Sequence, residues 1–231
     1  MADIAIWFDI DGTILDTGGA GSRAYGKTVR DFFGIEADMK RIHFAGATDL
    51  GVLEDILTHH GKPEGLAEAD RFFAAMESAY EEAFAISAFT VYSGVRELLQ
   101  QLDDHPGCLL GLVTGNAEKL AYAKLRQVQL DHHFDHGGFG DDHADRNEMA
   151  RLARERALAL NQPHPLTKTF IIGDTPRDIA AAHAVGAVAI GVSTGGYSAD
   201  DLHAAGADLV WDSFADTAAC MALLTNETHT L

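Results

Sequence analysis

Residues 4–16 read Ile4-Ala5-Ile6-Trp7-Phe8-Asp9-Ile10-Asp11-Gly12-Thr13-Ile14-Leu15-Asp16. Five apolar residues run straight into Asp9, and further acidic residues follow at Asp11 and Asp16. A short apolar run closed by a turn has the length of a buried strand. Ending such a strand on carboxylates is costly, because they repel one another and lose solvation when buried without a partner. Asp9 and Asp11 are two residues apart, which in extended chain points them the same way, and Gly12-Thr13 permits a tight turn after them.

The pattern recurs further along the chain. Cys108–Val113, Thr169–Ile172 and Val188–Val192 are apolar runs of similar length, with a weaker one at Leu209–Trp211. Each is followed by a stretch with helical spacing: 118–129, 176–185, 199–204 and 214–224. Pro176 suits a first helical turn, where its missing N–H costs nothing. Strands alternating with helices predict an α/β fold, a doubly wound parallel sheet covered on both faces with a Rossmann-like core.

The stretch between the first two runs has no strand pattern. Tyr25, Val29, Phe32 and Phe33 share helical spacing, as do Leu50, Leu53 and Leu57, and then Phe72, Phe73, Met76, Tyr80 and Phe84. These stripes predict packed core rather than a cofactor site. The Gly-rich 17–21 leads in and 88–94 leads out, so residues 18–89 read as an all-helical insert on two connectors. Residues 1–17 and 90–231 make up the α/β core.

Nearly half the residues, 47%, are apolar, enough for a sizeable core. The longest apolar runs are strand-sized and predict no membrane span. The N-terminal segment shows no basic region before an apolar stretch, and two cysteines, Cys108 and Cys220, cannot build a disulfide framework. A cytoplasmic location is the expectation. The formal net charge of −18 disfavours nucleic acid and anionic membranes as partners. An anionic substrate would need local positive charge or a metal ion.

The ends of the runs supply the functional signal. The first ends at Asp9, the second at Thr114, and the third, after Gly173, at Asp174. Ligands of open α/β sheets bind outside the carboxyl ends of the strands, so all three can face one crevice. Asp174 and Asp178 are four apart across a Pro-containing helix start and can share a face. A hard dication would neutralise such carboxylates. Mg²⁺ suits best, since it takes a few carboxylate oxygens, keeps several waters and bridges to phosphate. Taken singly, Asp9 and Asp11 could cap a turn, and Asp174 and Asp178 a helix; jointly, with Thr114 in the matching place, the metal reading is stronger.

Asp9-Ile10-Asp11-Gly12-Thr13-Ile14-Leu15-Asp16 resembles the first signature of the haloacid dehalogenase superfamily in its phosphatase branch. Val113-Thr114-Gly115-Asn116 resembles the second signature and Gly173-Asp174-Thr175-Pro176-Arg177-Asp178 the fourth. The helical insert resembles the cap of the phosphoglycolate phosphatase and phosphoglucomutase group. The resemblance implies two-step phosphoryl transfer on a small phosphorylated metabolite. Asp9 would be the nucleophile and Asp11 the acid/base. Mg²⁺ would be held by the side chains of Asp9 and Asp174 and the backbone carbonyl of Asp11, with Asp178 orienting from behind. Thr114, Gly115 and Asn116 would bind phosphoryl oxygens. Asp11 argues against a dehalogenase and a phosphonatase, whereas a phosphosugar mutase keeps both aspartates. A non-enzymatic phosphate-binding module would more often have lost one of them.

The third signature, a lysine at a helix start, departs from the pattern, and Arg146 is the cation expected there as the phosphate clamp. Lys119, Lys124 and Lys168 are rivals, and a solvated surface role is the default for any of the four, Arg146 included. His132, His133, His136 and His143 match no familiar zinc spacing and are expected at the surface. Gly195-Gly196 either borders the crevice or makes a plain turn. Thr48 and Asp49 either cap a helix or reach the substrate.

Overall fold

The computed structural model describes residues 2–225. In chain order it contains β1 (Ile4–Phe8), β2 (Leu15–Asp16), α1 (Ala20–Phe33), α2 (Asp49–His59), α3 (Ala69–Ala85), β3 (Thr90–Val91), α4 (Val95–Asp103) and β4 (Cys108–Val113). There follow α5 (Glu118–Gln127), β5 (Gly137–Gly138), α6 (Arg146–Leu160), β6 (Lys168–Gly173), α7 (Pro176–Ala184), β7 (Val188–Val192), α8 (Ala199–Ala204), β8 (Leu209–Trp211) and α9 (Thr217–Thr225). No helix among the described residues is long and apolar enough to cross a membrane.

Six strands form one sheet in the order β5-β4-β1-β6-β7-β8, with every neighbouring pair parallel. The first strand lies inside the sheet, with β4 on one side and β6 on the other. The chain therefore builds outward from β1 in one direction, returns, and builds outward in the other. That reversal is the switch point at which open sheets leave a crevice beyond their strand ends.

The twofold alternation of side chains along the strands divides the core between two faces. Ile6 and Phe8 of β1 join Leu110, Leu112, Phe170, Ile172, Ile190 and Val192 against α4, α5 and α9. Ala5 and Trp7 join Val113, Ile171 and Ala189 against α6, α7 and α8. Small residues dominate the second face, where Ala150, Ala153 and Ala157 let α6 approach the sheet closely.

The three apolar stripes between β2 and β3 become α1, α2 and α3, which bury a cluster of their own around Tyr25, Leu53, Leu57, Phe72 and Met76. Ala117 and Leu120, at the start of α5, complete that cluster. The stretch is not free of strand. Leu15 pairs with Val91 and Asp16 with Thr90, antiparallel, so the two connectors are stitched into a short ribbon. Two-residue strands carry no periodicity, which is why the sequence pattern does not reveal them. The short edge strand β5 escapes for the same reason, since Gly137-Gly138 has no side chains to alternate.

Two of the four histidines expected at the surface depart from that expectation, while His132 and His143 are exposed. His133 and His136 are buried, His133 beside Asp103 and His136 accepting at Nε2 from Trp7 Nε1 at 3.2 Å. The indole N–H of a fully buried tryptophan needs such a partner. Burial pushes the His136 pKa below its ordinary value.

Candidate active site

Asp9, Thr114 and Asp174 each directly follow the carboxyl end of a strand, β1, β4 and β6. All three are buried. Carboxylate oxygens of Asp9, Asp174 and Asp178 lie within 4.8 Å of one another, the arrangement among the described residues that could hold a metal ion. The backbone is shaped to admit Asp174. Gly12 sits at φ +85°, a region L side chains avoid, and a Cβ there would fall 2.4 Å from Asp174 Oδ2. A Cβ on Gly195 would fall 1.7 Å from the same oxygen, so Gly195 borders the crevice as well as making a turn. Thr13 Oγ1 lies 3.4 Å from Asp174 Oδ1. Thr194 Oγ1 donates to Gly12 O at 2.6 Å and ties the two glycine loops together.

Arg146, the first residue of α6, supplies the countercharge. Its Nη2 lies 3.0 Å from Asp9 Oδ1 and 2.5 Å from Asp178 Oδ1, and it also donates to Val113 O at 3.0 Å. Nη1 donates to Gly46 O at 3.2 Å, while the buried Nε has no hydrogen-bond partner. Burial alone would lower the arginine pKa, but the carboxylates of Asp178 and Asp9 outweigh it and hold the guanidinium charged. Asp178 is fully engaged by protein donors, since its other oxygen accepts from Thr175 N at 3.0 Å and Thr175 Oγ1 at 2.7 Å. That engagement makes Asp178 a support for Arg146 and the α7 start more than an open ligand.

One guanidinium does not balance three carboxylates. Burial pushes the Asp9 pKa up to about 6 despite the opposing pull of Arg146. Burial, with the charges of Asp9 and Asp178 added, pushes Asp174 up to about 8. All the candidate donors are hard carboxylate oxygens, the chemistry that magnesium-like cations prefer. A dication therefore fits this pocket on charge and on donor type.

The side chain of Asp11 turns to different partners. Its Oδ2 accepts from Asn116 Nδ2 at 2.8 Å and from Lys124 Nζ at 2.6 Å. Asn116 Nδ2 also donates to Thr114 Oγ1 at 2.8 Å, so hydrogen bonds run from Asp11 to the residue that follows β4. Lys124 is buried, contrary to the surface role expected for it, whereas Lys119 is exposed and paired with Glu77 at 2.9 Å. A sequence signal existed. Leu120, Ala121, Lys124 and Leu125 form the buried stripe of α5, so the lysine occupies an apolar-face position.

The segment before α2 reaches the same loops. Thr48 caps α2, accepting from Gly51 N at 3.1 Å, and donates to Ala144 O at 2.8 Å. Asp49 is buried and accepts from Ala117 N at 2.8 Å, while its own N–H donates to Gly115 O at 2.7 Å. Gly115 has no room for a side chain, because a Cβ would sit 1.8 Å from Ala47 O.

The chain has counterparts among known proteins. The family described as haloacid dehalogenase-like hydrolase matches residues 6–192, spanning Asp9 through Asp178. This chain belongs to that family. A phosphoglycolate phosphatase of Chromobacterium violaceum is 32% identical over 226 residues, covering 92% of this chain and 93% of that protein. A hydrolase from Pseudomonas syringae has a TM-score of 0.69 at 23% identity, covering 96% of this chain and 99% of its own. A β-phosphoglucomutase from Clostridium difficile has a TM-score of 0.64 at 21% identity, covering 94% and 93%. At those identities the two solved structures speak for the haloacid dehalogenase-like fold alone.

Proposed function

We propose that the chain is a Mg²⁺-dependent phosphatase that hydrolyses a small phosphomonoester, of phosphoglycolate size, through an aspartyl-phosphate on Asp9. The observation that carries the reading is the Asp9 carboxylate, held by Arg146 at 3.0 Å and clustered with Asp174. The likeness to the phosphatase of C. violaceum supports both the reaction class and the substrate size.

Asp9 attacks phosphorus as the bond to the ester oxygen breaks, and Asp11 gives that oxygen its proton. In the second step Asp11 takes a proton from water, which attacks the aspartyl-phosphate and returns Asp9. Arg146 keeps Asp9 ionised and oriented, and Thr114, Gly115 and Asn116 receive the phosphoryl oxygens. Asp9 and Asp174, with the Asp11 carbonyl, would hold Mg²⁺, which supplies positive charge against the oxygens of the transferring group. Residues 18–89 act as a cap over the core formed by 1–17 and 90–231, excluding bulk water and large substrates.

The test is phosphate release by the full chain from a panel of phosphorylated metabolites and an aryl phosphate. Turnover should require Mg²⁺, and Asp9→Asn should lower it at least about a thousandfold with the fold retained. Turnover that survives exhaustive chelation would remove the metal, and an active Asp9→Asn would remove the covalent route. A rearranged hexose phosphate in place of free phosphate would make the chain a mutase.

A further inference from the structure

Lys124 lies in the seam where the core meets the helices α1 and α3. Its side chain is 4% exposed. The ammonium donates to Asp11 Oδ2 at 2.6 Å and to Asn116 Oδ1 at 2.5 Å, and Asn116 in turn donates to Asp11. The three side chains close a triangle. Tyr80 of α3 presents its ring 5.8 Å from Nζ, and a Cβ on Gly21 of α1 would stand 3.5 Å from the same atom. Asp49 of α2 feels the lysine's charge from a third side. The apolar face of α5 is already filled by Leu120, Ala121 and Leu125. A hydrophobic residue at position 124 would pack there without the cost of burying a charge.

The Asp11 side chain is 43% exposed, so packing alone does not fix its direction. Proton transfer to a leaving oxygen needs that direction fixed, because a donor must stand within hydrogen-bond reach of its target. The geometry points to Lys124 as the positioning residue for Asp11. It grips the carboxylate directly and, through Asn116, from a second angle. The grip is sealed by α1 and α3, so the aim of Asp11 is tied to the packing of those helices over the core. Lys124 acts through Asp11, whereas Arg146 serves Asp9. This inference rests on the phosphatase reading above.

The experiment uses the full chain with Mg²⁺ and a series of phosphomonoesters running from nitrophenyl phosphate to alkyl phosphates. Lys124→Met should lower kcat on alkyl phosphates by roughly 10- to 100-fold, the scale of a misplaced catalytic group. On nitrophenyl phosphate, whose leaving group needs little protonation, the loss should be several-fold at most. Lys124→Arg should recover part of the alkyl activity. Adding Lys124→Met to Asp11→Asn should cost nothing further, since both variants remove one function. Lys124→Gln, which keeps a donor, should show the same leaving-group signature and serves if Lys124→Met does not fold. Equal losses on all leaving groups, additive losses in the double variant, or parent-level kcat on alkyl phosphates would each overturn the positioning role. The parent is the control for the reading beneath it. If the parent releases no phosphate from any ester, the phosphatase reading itself fails; if it does, these variants judge Lys124 alone.

Discussion

Arg146 is the residue on which the site's charge balance turns. Without it, Asp9 and Asp178 would face each other buried and unpaired, and breaking such a pair costs about 3–5 kcal/mol. Arg146→Ala should therefore lose stability as well as several kcal/mol of transition-state stabilisation, a loss of about a thousandfold or more in kcat/KM. Arg146→Lys keeps the charge but not the fork that reaches Asp9, Asp178 and Val113 together, so it should restore activity only in part. Activity assays and thermal unfolding of both variants check this. A fully active Arg146→Ala would displace it from the site. At this scale the sequence was informative where spacing dictates direction: Asp9 and Asp174 meet in space as the strand ends imply, and Arg146, singled out by the family resemblance, lies 3.0 Å from Asp9. It was uninformative for Lys124. A charged side chain predicts exposure, although the position's helical phase places it with Leu120 and Ala121.

Among elements, the junction between the start of α2 and the loops after β4 and β5 carries a titratable contact. Asp49 accepts from Ala117 N, its N–H and that of Leu50 donate to Gly115 O and Gly140 O, and Thr48 reaches Ala144 O. Neither element could be assigned these contacts from sequence, because they join loops far apart in the chain and depend on backbone groups. Burial pushes the Asp49 pKa up to about 7, only partly offset by the hydrogen bond from Ala117 and the charge of Lys124. Its folded-state pKa thus exceeds its unfolded one, near 4. Between those values the folded state binds the extra proton, so the contribution of Asp49 to stability falls as pH rises from about 4 to about 7. It levels off above that range. Asp49→Asn keeps an acceptor for Ala117 N and removes the titration. Denaturant unfolding without metal should show the variant gaining on the parent across that window by up to about 4 kcal/mol. A constant difference at every pH would remove Asp49 from the pH response.

Across the whole molecule, the sheet gathers carboxylates that lie far apart in sequence and folds them against their own repulsion. The alternating strand and helix pattern made the parallel sheet legible, and the strand ends made its crevice legible. The β2–β3 ribbon and β5 were not, since two residues cannot display a period. Burial and repulsion from neighbouring carboxylates push the pKa values of Asp9 and Asp174 up, a cost that a cation bound between them would offset. A ligand that binds only the folded state stabilises it by about 2.7 kcal/mol at a hundred times its Kd. For a chain of this size each kcal/mol moves Tm by about 2–4 °C. Saturating Mg²⁺ should therefore raise Tm by about 5–10 °C. Asp174→Asn should abolish that rise, yet its Tm in chelator should equal or exceed the parent's, because a buried carboxylate with a pKa near 8 has become a neutral amide. The gain should be largest above pH 8, where the parent's Asp174 is ionised. Sodium chloride at matched ionic strength separates site binding from general screening of the −18 net charge. If sodium raises Tm as far as magnesium does, or if Asp174→Asn keeps the full magnesium shift, the cation is not bound at Asp9 and Asp174.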